Sequence, residues 1–422
     1  MEMRKYTFRL YPNQAQSDEL LRILRLHQTL YNAALEERID AYKRFGKKIN
    51  YNDQQASLTI IRADDDAYRT LCCKSERMTL RRLDKAMSAF FRRVRRGETP
   101  GFPRFKSLSR FPSFELPASG SWSVNCHPTK SKATFTLKGV GKIQAKGKAR
   151  VWGMLKTSQV MHRHGKWWLS VTVACEPTRT VKSTKACGID WGIANLLTIT
   201  ESLDTCEHVP NPRYYQSDKH KLTQLQQRVS RKKRGSKNWR KACKRLTTFR
   251  RKQANQRKDH HHQLSADIAQ NYALVAMEKL KIKNMSQSAK GTPEKPGKNV
   301  KAKSGLNREI LDTAPAMLMG MIRYKVEETG GEFVETPTTK LKPSQRCPQC
   351  DHASKRNRPS QAVFCCVQCG FENHADVVGG YNSLAWALGV SSIARPKGKV
   401  MPDNEPGTGQ EYKNSKPLLS AA

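Results

Sequence analysis

Two cysteine pairs stand close together near the end of the chain. Cys347 and Cys350 form one CxxC in "RCPQC", Cys366 and Cys369 form another in "CCVQC", and 15 residues separate them. Four thiolates at that spacing suit one tetrahedral zinc ion, and with all four positions filled by protein no water can bind, so such a zinc is structural. A thioredoxin-like redox pair is the competing use of one CxxC; the second pair and the lack of a matching βαβ pattern argue against it. Cys365 would give the less regular CxxxC and is set aside. "ASKRNRPSQ", residues 353–361, fills the loop between the pairs with groups suited equally to phosphate or solvent.

Three acids are the second set of candidates. Asp190 ends a short apolar strand in "KACGIDWGIANLLTIT", with Gly192 easing the turn into a second strand at Leu196–Thr200. Glu278 stands where the β-prone run "YALVAM" stops being apolar, and Asp376 precedes the apolar helical segment "VVGGYNSLAWALGV". Each has a bland alternative: a surface turn for Asp190 and Glu278, a helix cap for Asp376. Together they have a chemical one. Magnesium prefers oxygen ligands, and a carboxylate cluster can hold two ions across a scissile phosphate.

The elements that must position these groups follow from periodicity. "RKYTFRLYPN" alternates and then meets Pro12, so it reads as a strand entering a turn. Helical patterns follow from Ser17 to about Tyr42 and from Ser75 to Gly97, and strands dominate between about 119 and 178. The expected arrangement is a β-rich domain into which the helices of about 17–100 are inserted. Leu222, Leu225 and Val229 mark one helical stripe and Trp239, Ala242, Leu246 and Phe249 another, with "RKKRGSKN" as the bend of a hairpin. A strand, hairpin, helix and strand order around Asp190 and Glu278 suits the mixed sheet of an RNase H-like nuclease. "GTPEKPGKNVKAKSG", 291–305, reads as a mobile segment, and the end of the chain from about Pro396 as disordered.

Charge narrows the partners. Lys and Arg number 77 against 36 Asp and Glu, a net charge of +41, which calls for a polyanion. Residues 219–258 alone hold 17 Lys or Arg and no acid, so phosphate binding is expected there, with Arg231, Lys232, Lys233 and Arg234 at its bend. "PGFPRFK" sets Phe102 and Phe105 beside Arg104 and Lys106, either as a packed loop or a nucleic-acid contact. His260–His262 are expected to serve packing or RNA contact on a helical surface. No stretch of about 18 apolar residues spans a membrane and no signal-peptide core opens the chain, while the sparse cysteines fit a reducing, intracellular compartment.

The order of these pieces resembles the TnpB family of transposon-encoded RNA-guided DNA nucleases, relatives of type V CRISPR effectors. The matching features are "FRLYPNQAQ", "GFPRFK", "GIDWG", "NPRYY", "LVAMEKLKIKNM", "GLNREILD" and "PSQRCPQC…FCCVQCG…HADVVGG", which span almost the whole chain. The resemblance implies a wedge-like β domain (1–16 and 101–180) with an inserted helical recognition lobe (17–100). A RuvC nuclease domain of RNase H-like α/β fold (181–343 and 371–395) and a zinc-ribbon-like module (344–370) would follow. It also implies Asp190, Glu278 and Asp376 as catalytic, magnesium-binding carboxylates and Cys347, Cys350, Cys366 and Cys369 as zinc ligands. The implied partners are a guide RNA from the transposon end and target double-stranded DNA, in the cytoplasm of a prokaryotic cell at the nucleoid. A nuclease-silent, RNA-guided DNA-binding protein or repressor is the alternative, and a DNA-joining transposase shares the carboxylate chemistry.

Three positions depart from the family pattern. Val378 stands where an Asn is usual, Asp351 where a glycine commonly follows the first cysteine pair, and "TAPAM" after Asp312 lacks the usual tryptophan. The valine is expected to remove a polar group beside the acid site.

Overall fold

Alternating residues at the start of the chain form strand β1 (Glu2–Tyr11), whose Phe8 and Leu10 are fully buried. The computed structural model describes residues 2–118, 120–126, 130–149, 151–176 and 183–391. The tail expected to be disordered, 396–422, lies outside the described residues, as does the expected domain boundary at 180/181. The chain divides into two units, Met1–Thr178 and Arg179–Ala422.

In the first unit, β1 is followed by helix α1 (Gln14–Phe45), started by a reciprocal capping box between Asn13 and Gln16 and stopped by Gly46 at φ 61°. Helices α2 (Tyr51–Asp64), α3 (Asp66–Arg69) and α4 (Cys73–Arg95) come next. Strands β2 (Ser113–Leu116), β3 (Trp122–Cys126), β4 (Lys132–Leu137), β5 (Gly141–Lys146), β6 (Met154–Arg163) and β7 (Lys166–Cys175) complete the unit. The seven strands form one antiparallel sheet in the order β2-β6-β7-β1-β5-β4-β3, so β1 lies in its middle although four helices separate it from β2. One core joins the sheet to α1 and α4 through Phe8, Leu24, Leu80, Leu83, Phe114 and Leu169.

The second unit opens with β8 (Ala186–Trp191), β9 (Asn195–Thr200) and β10 (Cys206–Pro210), an antiparallel meander. After the short helix α5 (Tyr214–Ser217), α6 (Lys219–Ser230) and α7 (Lys237–Asn271) form the basic hairpin. Strand β11 (Leu274–Glu278), short α8 (Ile282–Met285), α9 (Val300–Thr313), α10 (Pro315–Glu328) and β12 (Glu332–Thr336) follow. The chain then runs through α11 (Thr338–Leu341), β13 (Val363–Cys365), β14 (Glu372–His374) and α12 (Ala375–Ala387). The sheet order is β10-β9-β8-β11-β12, with β11 parallel to both its neighbours. That mixed sheet with flanking helices is consistent with a RuvC-like architecture. Its central strands are apolar runs because both faces are covered.

One expectation changes here and one is narrowed. Residues 291–305, read as a mobile segment, contain a bridged turn between Gly291 and Pro296 and then the first turns of α9. In "NVKAKSG" Lys301 is exposed, whereas Lys303 and Gly305 are half-buried and Lys303 Nζ donates to the Met285 carbonyl at 2.6 Å, in a helix whose Ile310 and Asp312 are buried. In the histidine run, His261 is buried, and burial pulls its pKa down to about 4, as expected for a neutral packing residue.

Candidate active site and metal centre

Asp190 leaves the end of β8, and the parallel register that pairs Met277 with Ile189 brings Glu278 to the same end of the sheet. Asp376 enters from the first turn of α12, a helix that packs on β8 and β9. The three carboxylates, each half-buried, line one cavity of about 560 Å³, with Lys279, Lys281, Thr338, Arg358 and His374 also on its wall. This is the carboxyl end of the strands, where open α/β sheets place ligands.

Glycines set how near α12 comes. A Cβ on Gly380 would lie 2.6 Å from Thr200 Oγ1, one on Gly188 would collide with the Gly380 carbonyl, and one on Gly379 would lie 3.4 Å from Asp190 Cγ. The "VVGG" stretch is therefore split in function. Its glycines face the sheet and Asp190, whereas Val378 points away. The side chain of Val378 is 0 % exposed and packs with Cys347, Phe364, Cys366 and Ala375. The expectation that this valine strips a polar group from the acid site is thus corrected: it is core of the cysteine module and does not line the cavity.

Burial pushes the Asp190 carboxyl well above the usual carboxylate range, Asp376 and Glu278 push it further, and the Arg358 charge opposes them. Burial also raises Glu278, against a hydrogen bond with Thr338 and the charge of Arg358. Three carboxylates on one concave wall offer the oxygen donors that hard divalent cations prefer, although among the described residues the four cysteines alone form a group of metal-ligating side chains within 4.8 Å of one another.

The cysteine module is built as a clip. Sulfurs of Cys347 and Cys369 are 3.6 Å apart and those of Cys350 and Cys366 are 3.5 Å apart, with all four within 4.8 Å of one another. A tetrahedral site with Zn–S bonds of about 2.3 Å has sulfur–sulfur edges of about 3.8 Å, so the set fits zinc. Burial pushes the Cys347 thiol up to about 12. At Cys366 burial acts the same way, but backbone N–H groups of Cys369 and Gln368 outweigh it and bring the thiol down to about 7. Cys365 lies outside the set. Asp351, in the position where a glycine is common, has φ 64°, a conformation Asp tolerates better than most residues, and accepts from Arg346 Nη1 at 2.8 Å.

The buried Asn357 ties the clip together, donating to the carbonyls of Gln345 and His352 at 2.9 Å each and accepting from Val367 N–H at 3.1 Å. Its neighbour Arg358 is thereby held against the acid cavity, where Nη2 donates to Asp376 Oδ1 at 3.2 Å. His374 Nδ1 accepts the Asp376 N–H at 3.2 Å and caps α12. Neither residue stands out in the sequence. Arg358 is one of three cations in a polar loop, and His374 precedes a helix without being a usual capping type.

Arg231, Lys232, Lys233 and Arg234 are all exposed at the turn between α6 and α7 and do not line the cavity. In the first unit Arg104 is exposed and Lys106 half-buried. No helix among the described residues is long and apolar enough to cross a membrane.

A mixed sheet with acids at its end and a four-cysteine clip beside them is consistent with a RuvC-like architecture, and known proteins agree with it. Residues 170–289 match a family model described as "Probable transposase", residues 316–383 the TNB domain of Cas12f1-like proteins, and residues 1–48 a helix-turn-helix domain. In this chain those first 48 residues form a strand and one long helix. The inferred RNA-guided DNA endonuclease InsQ of Escherichia coli (strain K12) is 31% identical over 386 residues, covering 91% of this chain and 92% of that protein. An inferred RNA-guided DNA endonuclease of Streptomyces pristinaespiralis is 27% identical, covering 92% and 90%. The Cas12f1 chain in a complex with sgRNA and target DNA shares the fold, with a TM-score of 0.54 at 14% identity over 88% of this chain and 82% of that one. The chain belongs to the family of TnpB and Cas12f1-like, transposon-associated RNA-guided nucleases.

Proposed function

We propose that the protein is a magnesium-dependent, RNA-guided DNA endonuclease of a transposon, cutting DNA matched to its guide RNA beside a short flanking motif. The observation that carries this reading is the meeting of Asp190, Glu278 and Asp376 on one cavity. Family membership supports an RNA-guided DNA-binding and cleaving protein of the TnpB and Cas12f type. In this reading residues 1–16 and 101–180 are the wedge-like β domain and 17–100 the recognition lobe. Residues 181–343 and 371–395 are the RuvC nuclease domain, and 344–370 the zinc module. The partners are a guide RNA from the transposon end and target double-stranded DNA. Base pairing chooses the sequence while the protein reads charge and shape, with Arg231, Lys232, Lys233, Arg234, Arg104 and Lys106 on phosphates.

Asp190, Glu278 and Asp376 would hold the magnesium, which would supply Lewis acidity for activating water and for stabilising the leaving oxygen of the cut phosphodiester. The chain supplies position. Asp190 is fixed at a strand end under Gly379, and His374 and the first turn of α12 orient Asp376. Arg358 brings a cation to the same wall, where a phosphate oxygen would meet it. The cysteine module, with a structural zinc, keeps the loop of that arginine in place.

The test starts from protein copurified with its native RNA. The RNA is sequenced, and DNA matching it, followed by a library of flanking sequences, is supplied with magnesium. Asp190→Ala should abolish cutting and keep RNA binding. Strand breaks that survive the substitution would remove the carboxylate centre, and enrichment of DNA without breaks by the native chain would leave a guided binding protein instead.

A further inference from the structure

The last turns of α4 run beyond the core of their unit. Every residue from Phe91 to Pro100 is exposed, although the stretch carries large apolar side chains. Three rings meet there: Phe91 and Phe102 each pack edge-on against Phe90, with centroid distances of 5.1 and 5.2 Å. Phe91 remains 49 % exposed and Phe102 45 %, while Val94 at 48 % and Phe105 at 52 % extend the apolar character of the segment. A contiguous aromatic surface of this kind marks an interaction site.

The platform is held in shape. Residues 100–106 have no regular secondary structure, yet Lys106 is clamped to α1, accepting at its carbonyl from Gln28 at 2.6 Å and Asn32 at 3.0 Å and donating its N–H to Asn32 at 2.8 Å. Rings fixed before binding lose little freedom on binding. The surrounding charge identifies the chemistry of the partner. Between residues 91 and 106 stand Arg92, Arg93, Arg95, Arg96, Arg104 and Lys106, against the single acid Glu98. A second copy of this chain would bring two such cationic arrays together, which opposes self-association. A single nucleic-acid strand complements both features, offering flat bases to the rings and phosphates to the cations.

We infer that Phe91 and Phe102 form a stacking platform for unpaired bases of a single-stranded nucleic acid, with the flanking arginines on its phosphates. The inference rests on the nucleic-acid reading above and adds a base contact to it. Every base has a π face, so the platform tolerates any sequence. RNA and DNA share this chemistry, and the test separates them.

The full chain, stripped of nucleic acid in high salt, is titrated with 12-nucleotide oligouridylate and oligothymidylate strands, each carrying one central 2-aminopurine, and with an abasic strand of equal length. Stacking is worth about 1–3 kcal/mol per base, so Phe102→Ala should weaken binding of at least one base-bearing strand about tenfold and relieve the quenching of its 2-aminopurine. Phe102→Leu, which keeps apolar packing without a ring, should behave like the alanine variant, Phe102→Trp like the native chain, and the abasic strand should not distinguish any of them. The proposal is overturned if abasic and base-bearing strands bind the native chain equally, if Phe102→Leu binds as the native chain does, or if light scattering finds a dimer that Phe102→Ala dissolves. Base-blind binding removes the platform alone; no binding of any strand removes the nucleic-acid reading with it.

Discussion

Arg358 and Asp376 are joined by a hydrogen bond of 3.2 Å between Nη2 and Oδ1, which links the loop inside the cysteine clip to the first turn of the helix that follows it. The pair is partly shielded, with 27 % and 17 % of the two side chains exposed, so the contact is more than a surface ion pair. Arg358→Ala should cut DNA cleavage by about 100-fold while leaving RNA binding and zinc content unchanged, a loss in the range seen when one charge-stabilising donor is removed. Arg358→Lys should recover little, because a point charge does not reproduce a planar fork. Cleavage kinetics with bound metal content measured in parallel check both.

Cys365 and Cys366 are adjacent but differ in geometry, and only Cys366 belongs to the four-sulfur set. Cys365→Ser should keep one zinc per chain. Cys366→Ser should lose it and loosen residues 345–374, since a structural zinc contributes folding free energy directly. Metal analysis and proteolysis of the module distinguish the two variants.

Asp190 and Glu278 predict an inverted pH response for the metal-free protein. A carboxyl whose folded pKa is raised binds more protons folded than unfolded, so its contribution to stability is present at low pH and is lost as pH rises past the ordinary carboxylate range. Asp190→Asn should therefore melt higher than the native chain at pH 7.5, by about 2–4 °C for each kcal/mol relieved, with the gain shrinking towards pH 4. Added magnesium should raise the native melting temperature and have a much smaller effect on the variant. Thermal melts across pH, with and without magnesium, measure this. Equal magnesium stabilisation of both chains would count against the carboxylate cation site.

Val378→Asn and Gly380→Ala should both fail, for different reasons. The asparagine would leave amide groups in the apolar core beside Cys347 and Phe364, costing about 1–3 kcal/mol. The alanine would force its Cβ to 2.6 Å from Thr200 Oγ1, an overpacking cost of about 1–3 kcal/mol. Thr200→Ala should partly rescue Gly380→Ala and do nothing for Val378→Asn. Chemical denaturation of the native chain, the three single variants and the two double variants reads this coupling.

What could be seen beforehand depended on how local its cause was. The cysteine clip was legible because ligand spacing within one short segment nearly determines its geometry. Strands such as β8 and β11 were legible from apolar runs, and the α6–α7 hairpin from two stripes around a breaker. The meeting of residues 190, 278 and 376 is not a local property. It depends on β11 lying parallel beside β8 and on α12 crossing that strand; element order and carboxylate chemistry suggested it, and the likeness of the whole chain to a known family named the three positions together. Arg358 was hidden because its direction follows from Asn357 and the four-cysteine clip, not from its own neighbours in sequence. Val378 was misread because one position of "VVGG" was assumed to face the acid site when helical geometry turns it to the other side. The residues 300–305 were misread because composition outweighed helical phase in so short a stretch.

The close approach of Gly188 and Gly380 bears on how inactive copies of such genes are recognised. The two glycines are 192 positions apart in the chain, yet the distance between β8 and α12, and with it the spacing of Asp190 and Asp376, depends on neither having a side chain. A copy that gained one methyl group at either position would keep all three acids and all four cysteines and still have the wall of its acid cavity forced apart. A census of functional copies that counts only acids and cysteines would score that copy as intact.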